Sequence, residues 1–194
     1  MESAEKIFLW TRQDRRMLED LEKQGVFYVK REYIEEKNED LSEYYLRLYD
    51  WFVRAASKRI PQPEHKGYPI WCSISEDYML RGIAGNILIK LCVEADRIIY
   101  FDSPKWDMVL NHMYLPEDER DEKAFSLLLK SRGVKNSFQL LDESHRRFYP
   151  DLADRLIRSW DRIFDIKEWN IFSVQANLWE IRPEDIVSVE EYRD

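Results

Sequence analysis

Short apolar runs lie at both ends of the chain, Lys6 to Trp10 (KIFLW) and Ile186 to Tyr192 (IVSVEEY). More lie between them at Tyr68 to Ile74, Ile87 to Val93, Ile98 to Phe101 and Ile171 to Trp179. Branched and aromatic residues in runs of this length predict strands. Strands at both termini and in the middle, separated by helical stretches of unequal length, do not fit the one-for-one alternation of a doubly wound sheet. The pattern predicts an α+β domain with a mixed or antiparallel sheet and flanking helices.

The helical stretches are legible from their spacing. Met17, Leu18 and Leu21 recur at helical intervals after the first strand, with Thr11 and Asp14 as start signals and Gly25 as the stop. A further strand is predicted over Val26 to Lys30. From Leu41 to Ile60 an apolar stripe runs through Tyr44, Tyr45, Leu48, Trp51, Phe52 and Ala55, with Asp40 as N-cap and Pro61 and Pro63 at the far end. Ser103 caps and Pro104 preorganises a helix through Trp106, Val109 and Leu110, and two more are predicted over Glu117 to Arg132 and Asp151 to Ile163. No repeat, low-complexity tract or linker interrupts the 194 residues, which predicts a single domain over 1–194.

Composition excludes several classes. A net charge of −8 disfavours nonspecific nucleic-acid or anionic-lipid binding. No apolar run approaches the roughly 20 residues needed to cross a bilayer, so no membrane partner is expected. Cys72 and Cys92 sit in apolar segments without metal-ligand spacing and read as reduced core residues, which predicts a cytoplasmic protein. Phosphate-loop, dinucleotide, nucleophile-elbow and zinc-protease motifs are all missing. His65, His112 and His145 are scattered, and the acids from Glu117 to Glu122 read as a solvated helix start.

Three polar groups beside strands remain: Thr11, Arg12 and Gln13 after the first strand, Trp71 and Ser73 around Cys72, and Gln175 in the late strand. Each has two readings. Strand ends often carry ligand-contacting side chains. Against that, Thr11 reads equally as a helix cap, Trp71 as core, and Gln175 as a satisfied amide.

The ordered motifs LWTRQ (9–13), YDWFVRAASKRIP (49–61), YPIWC (68–72), YFDSPKWDMVLN (100–111) and VQANLWEIRPEDIVSV (174–189) resemble a bacterial family catalogued as domain of unknown function 3841. More distantly, the layout resembles the ADP-ribosyltransferase superfamily, whose α+β domain holds NAD between two halves of a split sheet. That resemblance implies NAD or a related nucleotide-like small molecule as ligand. It places Gln175 and Arg12 at catalytic positions, and Thr11, Gln13, Tyr68, Trp71 and Ser73 at cofactor-binding ones. Thr11, Trp71 and Gln175 are then expected to converge on one partly exposed pocket.

Gln175 falls where the superfamily carries Glu. A neutral amide keeps a hydrogen bond to ribose but supplies no anion for the positive charge that develops as nicotinamide leaves. Transferase activity is therefore left open. Glu180, five residues on, is expected on the opposite face of a regular strand. The alternative is a protein-interaction or sensing module on the same fold, with the aromatic surplus facing a protein partner. A hydrolase built on Asp102 and Asp107 has no motif behind it.

Overall fold

The computed structural model describes residues 5–65 and 67–192. The chain forms two compact units, one running through Phe101 and resuming at Glu168, the other spanning Asp102–Lys167.

The first unit holds a six-stranded sheet made of β1 (Lys6–Asp14), β2 (Ile70–Ser73), β3 (Asn86–Glu94), β4 (Ile99–Asp102), β5 (Val174–Leu178) and β6 (Ile186–Glu191). The strand order is β4-β5-β2-β1-β3-β6. The ladders β1–β2, β1–β3, β2–β5 and β3–β6 are antiparallel, so the fold is α+β as the strand pattern predicts. Pairing is uneven. β1 and β3 match from Lys6↔Glu94 to Asp14↔Asn86, whereas β1 and β2 share one register pair among the described residues, Trp10↔Ser73. The sheet is thus two three-stranded halves, β4-β5-β2 and β1-β3-β6, meeting at a narrow seam.

One face of the sheet forms a core from Leu9, Ile70, Cys72, Ile89, Leu91, Ala176 and Leu178, closed by Met17 and Leu21 of α1 (Arg16–Gln24) and by Phe27. Leu9, Ile89 and Leu91 are fully buried, and each such side chain contributes about 1.5–3 kcal/mol of transfer free energy. Gly25 ends α1 at φ 71°, a conformation that side chains with a Cβ rarely adopt. After α2 (Arg31–Asn38), α3 (Ser42–Ala56) buries Leu48, Trp51, Phe52 and Ala55. Phe52 meets the Trp71 and Phe101 rings at 5.2 and 5.9 Å between centroids. A buried ion pair ties the turn before β6 to the β3–β4 connection: Arg97 donates to both carboxylate oxygens of Asp185 at 2.6 and 2.9 Å.

The second unit is helical: α4 (Ser103–Leu110), α5 (Glu119–Ser131), α6 (Glu143–Phe148) and α7 (Pro150–Ser159). Leu115, Phe125, Leu140, Leu152, Leu156 and Ile163 are buried in it. Asp118 caps α5, accepting from the Asp121 amide at 2.8 Å, which accounts for the acid run at that helix start.

Several local signals resolve differently from their sequence reading. Thr11 does not cap a helix, because β1 continues past it to Asp14 along the full length of β3. Tertiary pairing overrides the local cap preference, and Asp14 instead accepts from the Arg16 amide at 2.8 Å. Asp102 rather than Ser103 caps α4, its carboxylate accepting from the Lys105 amide at 3.0 Å. Leu41 rather than Asp40 precedes α3, with no side-chain cap. Within Val26 to Lys30 only Phe27 and Val29 make bridges among the described residues, to Ile181 and Tyr68. α2 falls where no helix was predicted.

Candidate functional site

Side chains alternate along β1, so Phe8, Trp10 and Arg12 share one face and Leu9, Thr11 and Gln13 the other. Cross-strand partners share a face, which extends the first set. Trp10 pairs with Ser73, Ser73 with Gln175, and Trp10 on its other side with Lys90. Gln175, Ser73, Trp10 and Lys90 therefore form one row across the seam, with Arg12, Trp71 and Asn177 on the same face. Thr11 and Gln13 face the opposite way, toward the core.

The expected convergence of Thr11, Trp71 and Gln175 on one pocket is not formed, because the period-two pleat separates Thr11 from the other two. Thr11 is 2% exposed. Its hydroxyl donates to the Trp71 carbonyl at 2.8 Å and accepts from the Gln13 amide at 2.7 Å. The neighbouring Cys72 thiol donates to the Ile70 carbonyl at 3.7 Å, and burial pushes its pKa up to about 12. Thr11 and Gln13 are braces of the seam, on the side away from Gln175.

The other candidates differ in how committed they are. Arg12 donates through Nη1 to the Arg81 carbonyl at 2.8 Å, and Ser73 to the Tyr78 carbonyl at 3.4 Å. Trp71 is packed among Tyr49, Phe52 and Phe101, with ring centroids 5.2–5.6 Å away. The Tyr68 hydroxyl donates to Asp50 of α3 at 2.8 Å. Burial first, and then that bond, push Tyr68 up to about 12, which marks it as a neutral brace rather than an acid or base. Gln175 is half-buried, and its side chain makes no hydrogen bond among the described residues.

Sequence reasoning missed three features. Lys90 is the one charged residue within ILIKLCV, a signal that its position faces away from the core. Its ammonium lies 5.1 and 5.4 Å from the Phe8 and Trp10 ring centroids and 3.8 Å from the Glu76 carboxylate. Asn177 is fully buried, donates to the Ile70 carbonyl at 3.3 Å, and has an amide oxygen without a partner among the described residues.

The third is a knot around Glu180. His65 stacks on Tyr28 with centroids 4.2 Å apart and accepts at Nδ1 from the Gly67 amide at 3.3 Å. Its Nε2 therefore carries the proton and donates to Glu180 at 2.8 Å. Arg182 donates to the second oxygen at 2.7 Å. Burial raises the Glu180 pKa, but the bonds from His65 and Arg182 outweigh it and leave the carboxyl lowered. Both oxygens are engaged, so Glu180 is a structural anion rather than a stand-in for the acid that Gln175 lacks.

The row of Gln175, Ser73, Trp10 and Lys90 thus offers an amide, a hydroxyl, an indole and an ammonium, with a guanidinium beside it. These groups suit holding an acceptor-rich, aromatic ligand better than proton transfer, since none of them is a carboxylate or imidazole. Among the described residues, no group of three or more His, Cys, Asp or Glu is placed to hold a metal ion, and no helix is long and apolar enough to cross a membrane.

A family model described as Domain of unknown function (DUF3841) matches residues 8–187. No curated protein and no solved structure matches the chain.

Proposed function

We propose, for a chain that belongs to the DUF3841 family, that its sheet unit is an ADP-ribosyltransferase-like domain binding NAD or a related nucleotide at the β1–β2 seam. The ligand lies on the face carrying Arg12, Trp71, Ser73 and Gln175. The observation that carries this reading is the seam itself: two half-sheets joined at Trp10↔Ser73, with the uncommitted amide of Gln175 in the adjoining register position. Arg12 serves the anionic part of the ligand and Gln175 its ribose hydroxyls, while Thr11, Gln13 and Tyr68 hold the strands that present them. Binding without efficient transfer is expected, because Gln175 supplies no negative charge to a developing cation.

Calorimetric titration with NAD tests the reading, alongside Gln175→Ala and an assay of nicotinamide release. Saturable heat that weakens about tenfold in the variant, one hydrogen-bonding group's worth of about 1.4 kcal/mol, is expected. No detectable heat would sink nucleotide binding, and nicotinamide release that survives loss of Gln175 would overturn its placement at the reacting ribose. A second reading, an interaction module on the same fold, is favoured by Phe8, Tyr78, Leu80 and Phe172, which are 48–67% exposed.

A further inference from the structure

Three neighbouring strands each present one donor on the candidate face, and all three donors end on the same segment. Arg12 of β1 bonds the Arg81 carbonyl, Ser73 of β2 bonds the Tyr78 carbonyl, and Lys90 of β3 is ion-paired with Glu76. The segment, residues 75–85, connects β2 to β3 and begins with a three-ten turn at Glu76–Tyr78. Burial of its own apolar residues holds it down only in part, since Tyr78, Leu80 and Ile83 are 49, 59 and 51% exposed and Met79 is half-buried. Its other anchors are slight. The Tyr78 ring meets Phe172 edge-on at 4.4 Å, and the Tyr192 ring lies against Gly82, where an added Cβ would come within 2.1 Å of it.

We infer that residues 75–85 are a displaceable cover over this face, and that a pyrophosphate-bearing ligand opens it by taking the donors Arg12, Ser73 and Lys90 from the cover's oxygens. The chemistry follows from what the cover supplies. Two carbonyl oxygens and a carboxylate are oxygen acceptors matched to a guanidinium, a hydroxyl and an ammonium. A diphosphate presents the same acceptors with more charge, and charge-assisted bonds outcompete neutral carbonyl contacts. A segment whose apolar residues are mostly exposed is also what local opening requires. The placement of the ligand rests on the nucleotide reading above, whereas the cover itself rests on its three contacts.

The test is tryptic cleavage after Arg81, an exposed residue within the segment, read by mass spectrometry together with hydrogen exchange of residues 75–85. Saturating inorganic pyrophosphate is expected to speed that cleavage about tenfold and to remove exchange protection from the segment. Arg12→Gln with Ser73→Ala is expected to speed cleavage without ligand and to abolish the response. Should that variant fail to fold, the wild-type response to pyrophosphate decides alone. Cleavage and exchange unchanged by pyrophosphate, or slowed by it, overturn the cover. If pyrophosphate opens the segment and NAD does not, the cover stands and the nucleotide reading falls. If NAD gives saturable heat while the segment stays protected, the nucleotide reading stands and the cover falls.

Discussion

The Thr11 hydroxyl donates to the Trp71 carbonyl at 2.8 Å, a side-chain bond that spans the seam beside Trp10↔Ser73, the one backbone register pair between β1 and β2 among the described residues. Thr11→Val keeps the shape and removes the bond, leaving the Trp71 carbonyl and the Gln13 amide without this partner. A loss of about 1–3 kcal/mol is expected in urea unfolding, with Thr11→Ser close to wild type. Because Thr11 faces the core, NAD affinity of the folded variant is expected to change less than in Gln175→Ala. The reverse order would place Thr11 among the ligand contacts.

The Arg97–Asp185 pair makes a second stability prediction. Asp185 is 3% exposed, and Asp185→Ala leaves the half-buried Arg97 guanidinium with only its 3.3 Å bond to the Glu180 carbonyl among the described residues, at an expected cost of about 1.5–3 kcal/mol by chemical denaturation. Replacing both partners by apolar residues of similar volume is expected to recover most of that loss. Equal destabilisation by the single and double changes would show that the packing, not the charge, sets the cost.

Stability is expected to fall steeply in acid. Burial raises the pKa of Asp20 and Asp121, but their hydrogen bonds outweigh it: Tyr33 and Lys30 on Asp20; the Glu117 amide, Tyr114 and Arg155 on Asp121. A carboxyl lowered in the fold contributes stability that is present above its unfolded pKa and disappears as pH drops through its folded one, so the loss lies below about pH 4. Asp20→Asn is expected to be less stable than wild type at pH 7 and to show a flatter acid limb. At the other extreme Tyr33, pushed from 10.0 up to about 12 by burial and then by Asp20, stabilises fully below pH 10 and loses its contribution as pH rises toward 12. Urea midpoints from pH 2.5 to 11.5 read both limbs.

Gln175→Glu tests the chemistry directly. The substitution supplies an anion at the position in register with Ser73, and a rise in nicotinamide release from NAD of at least about tenfold is expected, equivalent to about 1.4 kcal/mol of transition-state stabilisation. Unchanged release alongside intact NAD binding would mean that charge at this position does not limit the reaction.

Strand and helix positions were legible where local signals were strong: β3, β4 and α3 fall within a few residues of their apolar patterns, and α5 within a few residues of its predicted bounds, whereas the order of the strands in the sheet was not. The miscast residues are those whose role depends on a distant partner. Thr11 carries a cap signature, yet the ladder to β3 carries β1 through it. His65 and Glu180 are far apart in the chain, and nothing local to either announces a 2.8 Å bond. Gln175 was legible as a candidate because an amide in an apolar strand is conspicuous. Which face it shared, and with whom, required the register across β2.

The arrangement of the sheet also sets a timetable for folding. β1 lies at its middle but pairs with β2 and β3, tens of residues later in the chain, and the ladder onto β2 waits for β5 at Val174–Leu178, beyond the whole of the second unit. Such long-range closures make relative contact order high, and rates fall as it rises. Until β5 arrives, β2 presents an open hydrogen-bonding edge beside a seam that itself offers little pairing. That interval is when the chain is most prone to joining a neighbour's strand instead of its own.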